Sequence, residues 1–160
     1  KKFKMKNKIT NLLSRASKIC CSRGITSLEI QKIQNVLDVV FPNDFLDISY
    51  NYHFEYLDCF DWSGISTGTI EYTQILRQEG LPNRFIILAG FRDDAGSVFM
   101  ETQDNPEKPS PVYWCDMEDV YNLCEEGVFK YNPTVWPSFT DFFEYLVNEE
   151  EKRQREELEG

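Results

Sequence analysis

"RFIILAGFRDDAGSVFMET", residues 84–102, decides the fold. A run of apolar residues, "FIILAGF", gives way to Asp93, Asp94 and Gly96 and then resumes as "GSVFMET", in which apolar and polar positions alternate. An unbroken apolar run fits a buried strand, and alternation fits a strand with two unlike faces. The gap between them is short, and a parallel return needs a crossover of a dozen or more residues, so the pair reads as an antiparallel hairpin. "RDDAG" is then its turn, with aspartate and glycine present for turn geometry. Neither rival reading of the two carboxylates fits as well. A calcium loop needs further oxygen ligands at regular offsets, as in Asp-x-Asp-x-Asp-Gly. Adjacent carboxylates in a turn also point apart, which works against a shared proton.

Working outward, "PVYWCD" (residues 111–116) supplies a further strand, and "MEDVYNLCEE" a short helix through Val120, Leu123 and Cys124, followed by irregular chain. The closing "PSFTDFFEYLVNEEEKRQREELEG" opens on Ser138 as a helix cap and places Phe139, Phe142, Phe143, Leu146 and Val147 on one stripe. Residues 149–160 are read as a charged extension, helical or frayed. Upstream, Ile9, Leu12, Leu13, Ala16 and Cys20 fall at helical spacing in a basic helix over about residues 3–20, and Gly24 is expected to end it. Thr26 or Ser27 caps a second helix with Leu28, Ile30, Ile33, Val36 and Leu37 on its apolar face. Pro42 breaks that helix and leads a short one. From Phe54 to Phe60 the pattern reads as a strand bounded by "DWSG", and "TIEYTQILRQEG" returns to helical spacing. The expected architecture is α+β: an antiparallel meander packed by amino-terminal helices and a carboxy-terminal helix, with residues 1–148 as one domain.

At 160 residues and 18.8 kDa the chain is long enough to bury roughly two-thirds of its unfolded surface. Charge is unevenly placed. Eight of the 17 bases lie in the first 24 residues with no acid among them, so nine bases face 27 acids over residues 25–160, a net charge of −18. Such a field repels nucleic acid and anionic lipid and attracts basic protein surfaces. No uninterrupted apolar stretch at the amino end resembles a signal peptide, and none elsewhere reaches the roughly 20 residues of a membrane span. Five cysteines, Cys20, Cys21, Cys59, Cys115 and Cys124, show no framework spacing and no CxxC, which favours reduced thiols in a cytoplasmic protein.

The order and motifs of these elements resemble the SUKH superfamily, the Smi/Knr-type domain. "IQKIQNVLDVVFPNDFLDI" is similar to its helix and L-P-x-x-[YF] helix, with Phe41, Pro42 and Phe45 at the matching places. "FIILAGFRDDAGSVFMET" is similar to its central hairpin, with Gly96 at the turn glycine. "SPVYWCDMED" resembles its Pro-Val-Tyr strand, and "WPSFTDFFEYL" its closing Ser-Phe-x-x-[FL] helix. The likeness spans residues 25–148. It departs where many members carry Asn-Gly-Gly and this chain has "NYHFEY". What the resemblance implies is an α+β fold and, for most bacterial members, an immunity protein that neutralises a toxin, often a nuclease. Some eukaryotic members are instead regulatory interaction modules.

Catalytic alternatives find little footing in the residues. The single histidine, His53, forbids a histidine-rich metal site, no phosphate-binding loop is present, and no cofactor is expected. A Cys59/His53 pair would have the right chemistry. On an extended strand, however, residues six apart lie roughly 20 Å from each other, at about 3.3 Å per residue. A hydrolase or nucleotide-binding enzyme is therefore the outlying reading. The favoured candidates are binding residues: Asp58, Asp61, Trp62, Asp93, Asp94, Trp114, Asp116, Glu118 and Asp119, all near strand ends or turns. Carboxylates around an aromatic anchor suit a protein that occupies a basic cleft on a toxin domain.

Overall fold

In the computed structural model, which describes residues 2–160, the apolar run at Phe85–Ala89 is strand β1, buried along its whole length. It pairs antiparallel with β2 (Ser97–Glu101), β2 with β3 (Val112–Cys115), and β3 with β4 (Thr134–Trp136), giving a meander in sequence order. Helices α1 (Lys2–Ile19), α2 (Ser27–Leu37), α3 (Asn43–Asn51) and α4 (Thr69–Gln78) precede the sheet. Helix α5 (Met117–Glu126) joins β3 to β4, and α6 (Phe139–Glu159) closes the chain. The fold is α+β, as the sequence indicates.

Both faces of the sheet are covered, which is why β1 carries no polar residue. Ile86, Leu88, Val98, Met100 and Val112 point into a core shared with α1, α2, α3 and α6. Phe85, Ile87, Phe99 and Cys115 point the other way, against Leu76 of α4 and Leu123 of α5. The β1 edge is closed as well: Ser63 N–H donates to the Leu88 carbonyl at 2.9 Å, Gly90 N–H donates to the Asp61 carbonyl at 2.9 Å, and Thr73 Oγ1 accepts from Ile87 N–H at 3.1 Å. The opposite edge is held short by prolines, since Pro133 and Pro137 bracket β4 and proline cannot extend a ladder.

Several local expectations are corrected. Residues 54–60 form no strand. Phe54–Tyr56 is a 3₁₀ turn, because the Glu55 carboxylate folds back to accept from the backbone N–H of Gly64 and Ile65, both at 3.1 Å, and from the His53 ring at 2.8 Å. These bonds draw the segment toward the chain nine and ten residues on, in place of a strand partner. Thr26 caps α2, accepting from Glu29 N–H at 3.2 Å, but the buried face is Ile30, Ile33 and Leu37; Leu28 and Val36 face solvent. Gly24 does not end α1, which stops at Ile19. It lies instead against Tyr50, where an added Cβ would come 1.9 Å from the carbonyl oxygen. Strand β4 occupies chain that reads as irregular, three residues being too few for a visible alternation. Residues 149–159 continue α6 without a break.

Asp119 shows how α5 is tied to the chain after it. The side chain is fully buried and accepts from Lys130 N–H at 2.7 Å, Tyr131 N–H at 2.9 Å and the Asn122 amide at 3.0 Å. Burial pushes its carboxyl upward, but these hydrogen bonds outweigh that effect and hold it below the ordinary range. Asp119→Ala should destabilise the protein by on the order of 3 kcal/mol in denaturant titration at neutral pH, since two backbone donors lose their acceptor. Because the folded pKa lies below the unfolded one, this stabilisation is complete above the unfolded value and is lost as pH falls through the folded value. The gap between wild type and variant should therefore close on acidification.

Candidate functional site

The loop before α4 and the hairpin turn after β1 flank an open cleft of about 660 Å³. Its first wall is positioned by backbone. The bonds that seal the β1 edge also set Asp61 and Trp62 beside Ala89, with which Trp62 forms an isolated bridge. The Trp62 indole N–H donates to the Leu57 carbonyl at 3.0 Å, and its ring stands edge-on to Phe54 at 5.3 Å and to Phe60 at 5.6 Å. Phe60 in turn stacks on Phe142 of α6 at 5.9 Å. A π-helical turn, Gly64–Gly68, follows and runs directly into α4.

The second wall is the turn that the sequence singles out. Asp93 N–H donates to the Gly90 carbonyl at 3.2 Å, Gly96 N–H to the Asp93 carbonyl at 3.1 Å, and Ala95 N–H to Asp93 Oδ1 at 3.0 Å. Asp93 thus uses one carboxylate oxygen to make the turn, an Asx arrangement. Phe91 stacks face to face on Tyr72 of α4 at 4.1 Å, and Arg92 pairs with Glu79. The turn is anchored to α4 on the side away from the cleft.

Gly96 decides where Trp114 sits. It has φ +104°, and a Cβ there would lie 2.5 Å from the Trp114 ring, so the indole of β3 rests directly over it. Along the sheet, Trp62, Ala89, Val98 and Trp114 are successive cross-strand neighbours. The two tryptophans therefore rise from one face with a small alanine beside the first. Both are half-buried.

Of the residues expected to bind, Asp58, Asp61, Trp62, Asp93 and Trp114 line this cleft together. Asp94, Asp116 and Glu118 do not line it. Asp116 is the cap of α5, accepting from Asp119 N–H at 3.0 Å, and Asp119 is withdrawn from any surface by its burial. An aspartate directly before a helical stretch is a capping signal, and that was legible in the sequence for Asp116. Cys59, Gly90 and Gly96 also line the cleft, and sequence reasoning did not assign them to it.

Ion pairs occupy part of the acidic surface. Arg15 pairs with Glu151, Lys8 with Asp141 and Glu144, Arg84 with Glu101, and Lys130 with Glu126. Asp58 has a distant partner in Arg153 at 3.8 Å. Among the described residues no lysine, arginine or histidine lies within ion-pair distance of Asp61 or Asp93.

Cys59 and His53 do not form a dyad. The Cys59 thiol points to the Leu146 carbonyl and Glu150, while the His53 ring is bonded to Glu55. Burial, reinforced by the charge of Glu150, pushes the Cys59 thiol up to about 12, so it stays protonated at neutral pH. Among the described residues no group of three or more His, Cys, Asp and Glu could hold a metal ion, and no helix is long and apolar enough to cross a membrane.

Gly96→Ala should destabilise the protein by on the order of 1–3 kcal/mol through backbone strain, and displace Trp114. Near-ultraviolet circular dichroism should report the indole movement and thermal unfolding the loss. Compared with protein-family models, curated proteins and solved structures, the chain matches none.

Proposed function

We propose that the chain is a stoichiometric binding protein of the SUKH type, an immunity protein that neutralises a basic toxin domain, such as a nuclease, in the cytoplasm. The face that binds is the cleft between Asp61–Trp62 and Asp93–Trp114. The observation that carries the reading is that two carboxylates, Asp61 and Asp93, line one open cleft together with the half-buried Trp62 and Trp114. Tryptophan is enriched at binding hot spots, and a surrounding acidic rim steers a basic partner toward it. The motif order and the net charge of −18 over residues 25–160 support the same class of partner. Asp116, Glu118 and Asp94 add to the field without lining the cleft, and Asp119 takes no part. No cofactor enters this mechanism, because inhibition by occupation needs only complementarity.

The test is co-expression with the toxic product of the adjacent gene, followed by calorimetry of the purified pair. Rescue of growth and one-to-one binding are expected. Asp58→Lys with Asp61→Lys and Asp93→Asn should weaken the complex on the order of tenfold or more while leaving the unfolding midpoint nearly unchanged. The amide that replaces the Asp93 carboxylate would keep the acceptor that the turn requires. The association rate should also fall as salt is added, since the steering is screened. Binding without rescue would point to the regulatory module instead, and affinity indifferent to the triple substitution would remove this face.

A further inference from the structure

The chemistry of the cleft also specifies what enters it. We infer that it seats an arginine side chain of the partner, with the guanidinium against the indoles of Trp62 or Trp114 and bonded to Asp61 and Asp93. This rests on the binding face proposed above and goes further, naming the group that it recognises.

Four observations lead there. Asp61 and Asp93 line one cleft with two tryptophans, and among the described residues neither has a cation within ion-pair distance. A positive group meeting both carboxylates would be supplied by the partner. A divalent metal is a poor occupant, because the cleft's carboxylates form no cluster of three potential ligands. A phosphate or nucleic-acid backbone is repelled by the same carboxylates and by the acidic body around them. Tryptophan walls favour a planar cation over a compact ammonium, since guanidinium is weakly hydrated, stacks on aromatic faces and presents a fork of donors to carboxylates.

Geometry adds that both indoles are already held by contacts within the chain. Trp62 is held by its indole hydrogen bond and by the rings of Phe54 and Phe60, and Trp114 rests over Gly96. The free second oxygen of Asp93 remains for a ligand, because the turn consumes Oδ1. Gly90 and Gly96 line the cleft between the two walls, which is open to solvent and has a volume of about 660 Å³.

The experiment titrates the full chain with the blocked tripeptide acetyl-Gly-Arg-Gly-amide, and with its lysine and citrulline counterparts. The indole N–H resonances of Trp62, Trp114 and Trp136 are followed by NMR. Trp136 lies outside the cleft and serves as the control. Saturable shifts at Trp62 and Trp114, strongest for arginine, several-fold weaker for lysine and absent for uncharged citrulline, are expected. Asp61→Asn with Asp93→Asn should abolish them while the spectrum remains that of a folded protein. Equal shifts from arginine and citrulline, or none from arginine, would overturn the inference. If a basic toxin binds and depends on Asp61 while the arginine peptide leaves both indoles unmoved, the face stands and the arginine anchor fails. If the peptide binds as described and the adjacent gene's product does not, the anchor stands and the immunity reading fails.

Discussion

Docking of the aromatic stripe of α6 is the constraint on which the remaining architecture depends. Phe139 meets Phe45 of α3 edge-on at 4.7 Å and Phe54 of the 3₁₀ turn at 5.3 Å. One turn on, Phe142 contacts Trp136 of β4 at 4.9 Å, Phe60 at 5.9 Å and Trp62 at 6.2 Å. Phe143 reaches Tyr52 at the end of α3. Each ring removes a large apolar area from water, and edge-on pairs add about 0.5–1.5 kcal/mol beyond that burial. The start of the helix is fixed by the same neighbours, since Asp44 of α3 accepts from both the backbone N–H and the hydroxyl of Thr140 at 2.8 Å. A single helix therefore sets the positions of α3, the loop carrying Asp61 and Trp62, and the edge strand. The first wall of the cleft is set by that docking together with the backbone bonds that tie Asp61 and Ser63 to β1 and the turn after it.

The same helix resolves the charge asymmetry of the chain. The basic α1 lies along α6, where Arg15 donates to Glu151 at 2.5 Å and to Asn148 at 2.7 Å, and Lys8 faces Asp141 and Glu144. Exposed pairs of this kind contribute little individually. The attachment of α1 is carried by buried Ile9, Leu12 and Ala16, and the charges select which helix it lies on. The glutamates of residues 149–159 are thus partly absorbed by an internal partner. In the cleft, Asp58 shares Arg153 with α6, while Asp61 and Asp93 have no such partner among the described residues.

Periodicity made the main elements legible because helices and strands that bury one face must repeat at 3.6 or 2 residues. The stripe Phe139–Phe142–Phe143–Leu146–Val147 and the buried run of β1 both follow from it. Legibility failed where a side chain outcompetes the pattern. Phe54 and Leu57 are fully buried at a spacing of three, but aromatic residues between and after them imitate a strand, and only the return of Glu55 to Gly64 and Ile65 reveals the turn. In the cleft, the charged and aromatic residues were visible as types near turns. Which of them meet depended on the register that brings Trp62, Ala89, Val98 and Trp114 into one row, and register is a property of pairing between segments far apart in the chain. Asp119 was misplaced for a related reason: an acid beside a cap looks like surface until the backbone of Lys130 and Tyr131 arrives to bury it.

Rigidity and unmet charge together determine how such a cleft recognises a partner. Its walls are set by contacts that exist before any ligand arrives: ring on ring at Phe60 and Phe142, ring on ring at Phe91 and Tyr72, and indole on glycine at Trp114. Ordering these groups is completed during folding, so association does not repeat that entropic cost. The carboxylates, by contrast, are left solvated and without a cation, and desolvating them is unfavourable unless the entering group restores their hydrogen bonds. A neutral or apolar visitor would strip water from Asp61 and Asp93 and return nothing. Discrimination at this face therefore comes less from the shape of the trough than from the penalty it imposes on any occupant that is not a hydrogen-bonding cation.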